Sequence, residues 1–99
     1  MRIMVLFTAF ESVVGPEAVG KLRKQVGEAL KRIKDSGKLE SGGVFADLRG
    51  GYFILKVGEG EELMELLGGG LLDNFSMVTH PIYSFDYLGE YFAKHPPGT

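Results

Sequence analysis

The stretch Arg2-Ile3-Met4-Val5-Leu6-Phe7-Thr8-Ala9-Phe10, read with Tyr52-Phe53-Ile54-Leu55, decides the fold of this chain. Successive strand residues point to opposite faces, so a strand with one face in water alternates apolar and polar positions. These two stretches do not. On the first, Ile3, Val5, Phe7 and Ala9 form a uniformly apolar set, while Met4, Leu6, Thr8 and Phe10 point the other way. The second divides similarly into Phe53, Leu55 and Val57 against Tyr52, Ile54 and Lys56. A chain of 99 residues can hardly cover both sides of a sheet, so the doubly apolar strands imply a partner.

Around these stretches the composition is that of a globular domain, with 44% apolar and 24% charged residues. No apolar run reaches the length of a membrane span, and the start Met1-Arg2 runs directly into a strand, without a cleavable signal. A single cytoplasmic domain over residues 1–99, away from membranes, is the expectation. The absence of cysteine removes disulfides, thiolate nucleophiles and cysteine-ligated metal centres together. Glycine is unusual: its 15 copies are about twice the ordinary share, and the clusters Gly42-Gly43, Gly50-Gly51 and Gly68-Gly69-Gly70 read as punctuation between elements.

The punctuation separates six elements and a tail. Arg2 to Phe10 is the first strand. Gly15-Pro16 opens a long helix, with Val19, Leu22, Val26, Ala29, Leu30 and Ile33 as its apolar stripe and Gly37 as its end. The other side of that helix, with Lys21, Arg23, Lys24, Lys31, Arg32 and Lys34, is net positive. Lys38 to Asp47 reads as a second strand, bulged at Gly42-Gly43, and Tyr52 to Val57 as a third, joined to it by the turn Leu48-Arg49-Gly50-Gly51. A short helix with Leu63, Met64, Leu66 and Leu67 buried is expected to stop at Gly68 to Gly70. A fourth strand from about Ser76 to Phe85 carries Pro81, which belongs at a sheet edge. The tail, about 86–99, holds a short aromatic helix with Leu88, Tyr91 and Phe92 on one side, capped by Asp86.

The order β-α-β-β-α-β is the split βαβ arrangement of ferredoxin-like α+β folds, a four-stranded antiparallel sheet with two helices on one face. The second face is then bare. Exposing four large apolar side chains forfeits ~1.5–3 kcal/mol each, a large part of a typical domain stability of ~5–15 kcal/mol. A second copy laid face to face relieves this, making a homodimeric α/β barrel that can assemble further. Tyr83, Phe85, Tyr87, Tyr91 and Phe92 are placed to close its edge or grip the partner.

The opening Met1 to Thr8, the hairpin end Gly50-Gly51-Tyr52-Phe53-Ile54, the Glu-rich start of the second helix and Asp73-Asn74-Phe75-Ser76-Met77-Val78-Thr79-His80-Pro81 resemble the muconolactone isomerase-like group of dimeric α/β barrel proteins. The resemblance spans nearly the whole chain and consists of apolar positions and glycines. It implies a barrel enclosing a small, largely apolar molecule, and a cofactor-independent reaction of the isomerase or monooxygenase kind. Where the isomerase carries polar and ionisable groups on its first strand, this chain has Met4 and Leu6 and keeps only Thr8. Such folds also serve as plain binding or dimerisation modules, the alternative from another class.

Candidate chemistry falls on few residues. His80, in phase with Val78 and Ile82, is a candidate base, because imidazole exchanges protons near neutral pH. Tyr52 is its candidate catalytic partner, and Lys56, two residues on along the same face, suits a carboxylate. Thr8, Met4, Leu6 and Ile54 complete the expected ligand-binding surface. Their plainer readings are a strand-end histidine, an interface tyrosine and a lysine whose stem covers apolar surface. Asp47 and Arg49 read as turn chemistry, and His95 as a solvated tail residue. No metal site or cofactor is expected, since His80 and His95 share no ligand spacing with each other or with a cysteine. Arg49-Gly50-Gly51-Tyr52-Phe53-Ile54 resembles an RNA-recognition segment, but adjacent aromatics face opposite ways, and the net charge of −2 disfavours nucleic acid. The stretch Glu11-Ser12-Val13-Val14-Gly15 lacks the phosphate loop of acylphosphatases.

Overall fold

The computed structural model describes residues 1–98. Its elements are β1 (Arg2–Ala9), α1 (Pro16–Asp35), β2 (Leu39–Val44), β3 (Gly50–Lys56), α2 (Gly60–Asn74), β4 (Phe75–Ile82) and α3 (Phe85–Lys94). The result is an α+β architecture with one four-stranded antiparallel sheet, ordered β2-β3-β1-β4, and three helices. The doubly apolar strands β1 and β3 take the two central places, as their composition requires.

One face of the sheet is covered by helices. Ile3, Val5, Phe7 and Ala9 of β1, with Phe53 and Leu55 of β3 and the adjoining Val57, pack with Ala29 and Ile33 of α1 and with Leu66, Leu67 and Leu71 of α2. Phe7 stacks on Phe53 at 4.9 Å between ring centroids and meets the edge of Phe75 at 5.3 Å, in the offset and edge-on geometries that aromatic quadrupoles favour. The alternation within β1 and β3 therefore divides as expected.

Gly50 and Gly51 differ from expectation in belonging to β3 rather than to the turn. A Cβ at Gly50 would run into the Phe7 carbonyl oxygen, and one at Gly51 into that of Gly43. Close passage of neighbouring backbones, not chain reversal, selects these glycines. The reversal lies in residues 45–49, where Leu48 N–H donates to Phe45 O and Leu48 takes φ 62°. The Asp47 side chain accepts from Arg49 N–H at 3.0 Å, an Asx turn. Arg49 also donates to the Phe10 and Val13 carbonyls, tying the β1–α1 loop to the hairpin.

The glycines of α2 also act differently from the expected stop. The helix kinks at Gly68, whose φ of 72° no regular helix contains, and then resumes to Asn74. Arg32 of α1 donates from Nε to Leu66 O at 3.0 Å and from Nη2 to Leu67 O at 2.8 Å. Its guanidinium thus satisfies carbonyls that the kink leaves without helical partners. Arg32 is consequently a cap rather than part of a free basic face. Beyond the kink, Gly70 lies against Gln25, and Asn74 Nδ2 donates to Gln25 Oε1 at 3.0 Å. Met64, expected in the core, is 61% exposed; Leu71, on the resumed turn, is buried instead.

Two smaller corrections concern the ends. The irregularity in β2 lies between Leu39 and Ser41, not at Gly42-Gly43. Helix α3 begins at Phe85 and is capped by Ser84, whose hydroxyl accepts from Tyr87 N–H, so Asp86 sits in the first turn instead of at the cap.

Candidate functional site

The uncovered sheet face gathers every residue singled out as a candidate. Register places Met4 between Ile54 on β3 and His80 on β4, and Leu6 between Tyr52 and Val78. Thr8 lies between Gly50 and Ser76, while Arg2 lies between Lys56 and Ile82. Directly paired residues of neighbouring strands project to the same side. Met4, Leu6, Thr8, Tyr52, Ile54, Lys56 and His80 therefore share one surface, opposite the helices.

That surface has an apolar middle and polar ends. Met4, Leu6, Tyr52 and Ile54 are half-buried, and Val78 is 51% exposed. The Tyr52 ring lies across Gly43 on β2, where a Cβ would approach Tyr52 Cε1 to 3.0 Å. This glycine is thus covered by its cross-strand neighbour, and β2 contributes little bulk of its own. Thr8 and Ser76 are exposed at one end. His80, also exposed, adjoins Met4 toward the other.

At that second end is a residue the spacing did not reveal. Glu40 accepts from Arg2 Nε at 2.7 Å, and its other carboxylate oxygen lies 3.3 Å from Lys56 Nζ. The Arg2 hydrogen bond, with help from Lys56, holds the Glu40 carboxyl below the ordinary glutamate range against a smaller opposing effect of desolvation. Lys56 is therefore already paired, with most of its side chain in water. Alternation from Leu39, which packs against the core, turns Glu40 to the uncovered face, and Glu40 is the extra residue of the bulge between Leu39 and Ser41. Its cations come from β1 and β3, and no motif announces that meeting.

Two open depressions lie elsewhere on the chain. An open depression of about 400 Å³ is lined by Val14, Gly15, Pro16, Glu17, Ala18 and Lys21, at the start of α1. A second, of about 310 Å³, runs along α3 beside Tyr83, Phe85, Leu88 and Tyr91. Neither includes the candidate residues. Among the described residues, no three His, Cys, Asp or Glu side chains converge as a metal site, and no helix is long and apolar enough to cross a membrane. Asp47 and Arg49 are engaged in the hairpin, and His95 stacks on Tyr91 at 4.4 Å between ring centroids. No family model and no curated protein matches this sequence.

Proposed function

We propose that this chain is a ferredoxin-like protein whose copies pair through their uncovered sheet faces into a dimeric α/β barrel, and that the space between the sheets binds a small, largely apolar molecule. The observation that carries the reading is the uncovered face itself, with Met4, Leu6, Tyr52 and Ile54 half-buried at its middle. The element order and the placement of α1 and α2 on one side of the sheet support the same assignment. An apolar floor with a few polar groups at its margin is the usual make-up of a small-molecule site.

In this reading the chemistry is that of a cofactor-independent isomerase or monooxygenase acting on an apolar substrate. His80 is the proton acceptor, the Tyr52 hydroxyl orients the substrate, and Thr8 adds a hydrogen bond at the far end. Met4, Leu6 and Ile54 supply the apolar contacts. Lys56 reaches a substrate carboxylate only by sharing its charge with Glu40.

A second reading, a non-catalytic dimerisation module, is favoured by the continuity of the apolar middle, which suits dry packing between two sheets. Native mass spectrometry of the purified chain separates them. The barrel reading expects twice the chain mass with a retained small molecule, which a chain carrying both Tyr52→Phe and His80→Ala loses while remaining paired. A pair that never retains or accepts an apolar ligand supports the module. A monomer at micromolar concentration overturns both.

A further inference from the structure

Helix α3 contributes no residue to the core of its own chain. None of its residues is buried, and Phe85 is 91%, Phe92 61%, Tyr91 44% and Leu88 43% exposed. These four recur at helical spacing and make one apolar stripe. Alongside it Tyr83 stacks on Tyr87 at 5.0 Å between ring centroids, and Tyr87 meets Tyr91 at a tilt at 6.5 Å. Asp86 and Glu90 lie to the other side. An exposed helix of ten residues is too short to persist on propensity alone, so this stripe calls for a surface to cover it.

Whole-molecule dimensions identify the deficit. The radius of gyration is 16.4 Å, whereas a compact chain of about 100 residues has about 13 Å. The molecule measures 55 × 27 × 22 Å. Its accessible surface of 6999 Å² exceeds by roughly 1,500 Å² the value of about 5,500 Å² usual for its 10.8 kDa. One partner in a standard interface buries about 800 Å². The excess is therefore enough for an interface of standard size or larger.

We infer that α3 is an exchanged arm: in the paired protein, each copy lays its Phe85-Leu88-Tyr91-Phe92 stripe on the other copy, along the β2 side of the uncovered sheet face. The inference rests on the face-to-face pairing proposed above and names what closes the barrel's side. Only Tyr83 and Ser84 join β4 to α3, and no residue of α3 is buried against its own chain. On the receiving copy, β2 turns Ser41 and Gly43 toward the middle of that face, with Glu40 drawn to Arg2 and Lys56 at its end, so little side-chain bulk stands beside Tyr52. A reciprocal exchange covers both unmatched surfaces with a single two-fold operation and leaves none open for further chains.

The test uses the full chain with Leu88→Glu and Phe92→Glu together, since glutamate keeps helix propensity while removing the stripe. Sedimentation equilibrium is expected to show dimerisation weakened by about tenfold or more. The freedom from native cysteine permits a second measurement: equal amounts of an Ala93→Cys chain and a Ser41→Cys chain, treated with a short bis-maleimide, should give a cross-linked heterodimer. A dimer of unchanged affinity in the double-glutamate chain overturns the arm exchange while leaving sheet pairing intact. So does cross-linking within a single chain carrying both cysteines in preference to cross-linking between chains, because the arm would then fold back on its own sheet. A parent chain that is monomeric overturns the pairing itself, and the exchange with it.

Discussion

Leu48 is the residue most at odds with its backbone. It holds φ 62° while 76% of its surface is exposed, so nothing packed around the side chain offsets the left-handed conformation. A non-glycine residue in that region costs about 1–2 kcal/mol, and glycine gives back part of this through its freer unfolded chain. Leu48→Gly is therefore expected to raise stability by about 0.5–1 kcal/mol in a urea unfolding titration. A loss of stability would show that Leu48 makes a contact the hairpin needs. Glu40 and Glu62 make a different residue-scale case. The Gly58 N–H and, secondarily, Lys38 hold Glu62 below its ordinary range, as Arg2 and Lys56 hold Glu40. A carboxyl depressed in the folded state binds its proton more readily when unfolded, so the stabilisation is complete above the ordinary glutamate value of about 4.3 and is lost as pH falls through the folded value. Thermal melts should weaken across that acidic interval, and a chain with Glu40→Gln and Glu62→Gln should lose less on acidification. Both carboxylates are accessible to water, so salt should shrink the effect.

At the scale of elements, the alternating residues of β1 and β3 disclosed more than the glycines did. Ile3, Val5, Phe7, Phe53 and Leu55 were legible because a strand's two-residue period leaves only two assignments, and the more apolar one must meet the helices. Gly68-Gly69-Gly70 was not legible in the same way. Glycine marks both a helix end and a close approach, and the difference depends on Arg32, far away in sequence, whose guanidinium occupies the space a side chain at Gly68 would need. The candidate face was readable for the same reason as the core, since register carries Met4, Tyr52 and His80 together once their phases are known. Glu40 was not, because its approach to Arg2 and Lys56 depends on how three strands pair, which no local spacing states. The Arg32 cap has a measurable coupling. Arg32→Met should cost about 1.5–3 kcal/mol, the usual range for hydrogen bonds from a charged group. Gly68→Ala should cost a similar amount, through a strained φ and a displaced guanidinium. Because both changes remove the same cap, their combined cost in chemical denaturation should fall well short of the sum. Strict additivity would mean that the kink holds without Arg32.

For the whole molecule, the question is how a fold with one complete core can also carry an apolar face. The core beneath the helices contains none of Met4, Leu6, Tyr52 or Ile54, so the single chain has what it needs to fold before the second face is covered. Folding and pairing should consequently separate under substitution. Leu6→Lys places a charge at the middle of the proposed interface, between Tyr52 and Val78, without entering the helix-covered core. It is expected to abolish pairing, since desolvating two unpaired lysines across a two-fold axis costs several kcal/mol. The far-ultraviolet circular dichroism should remain that of the parent. The parent's melting temperature should rise with protein concentration, because only the folded chain pairs, whereas that of Leu6→Lys should not. Val5→Lys supplies the contrast: Val5 is fully buried on the opposite face, so a charge there should unfold the chain rather than disperse it. If Leu6→Lys instead unfolds like Val5→Lys, the two faces belong to one cooperative unit, and pairing is a condition of folding. A parent melting temperature independent of concentration, with Leu6→Lys folded and equally stable, would mean that the uncovered face stays in water.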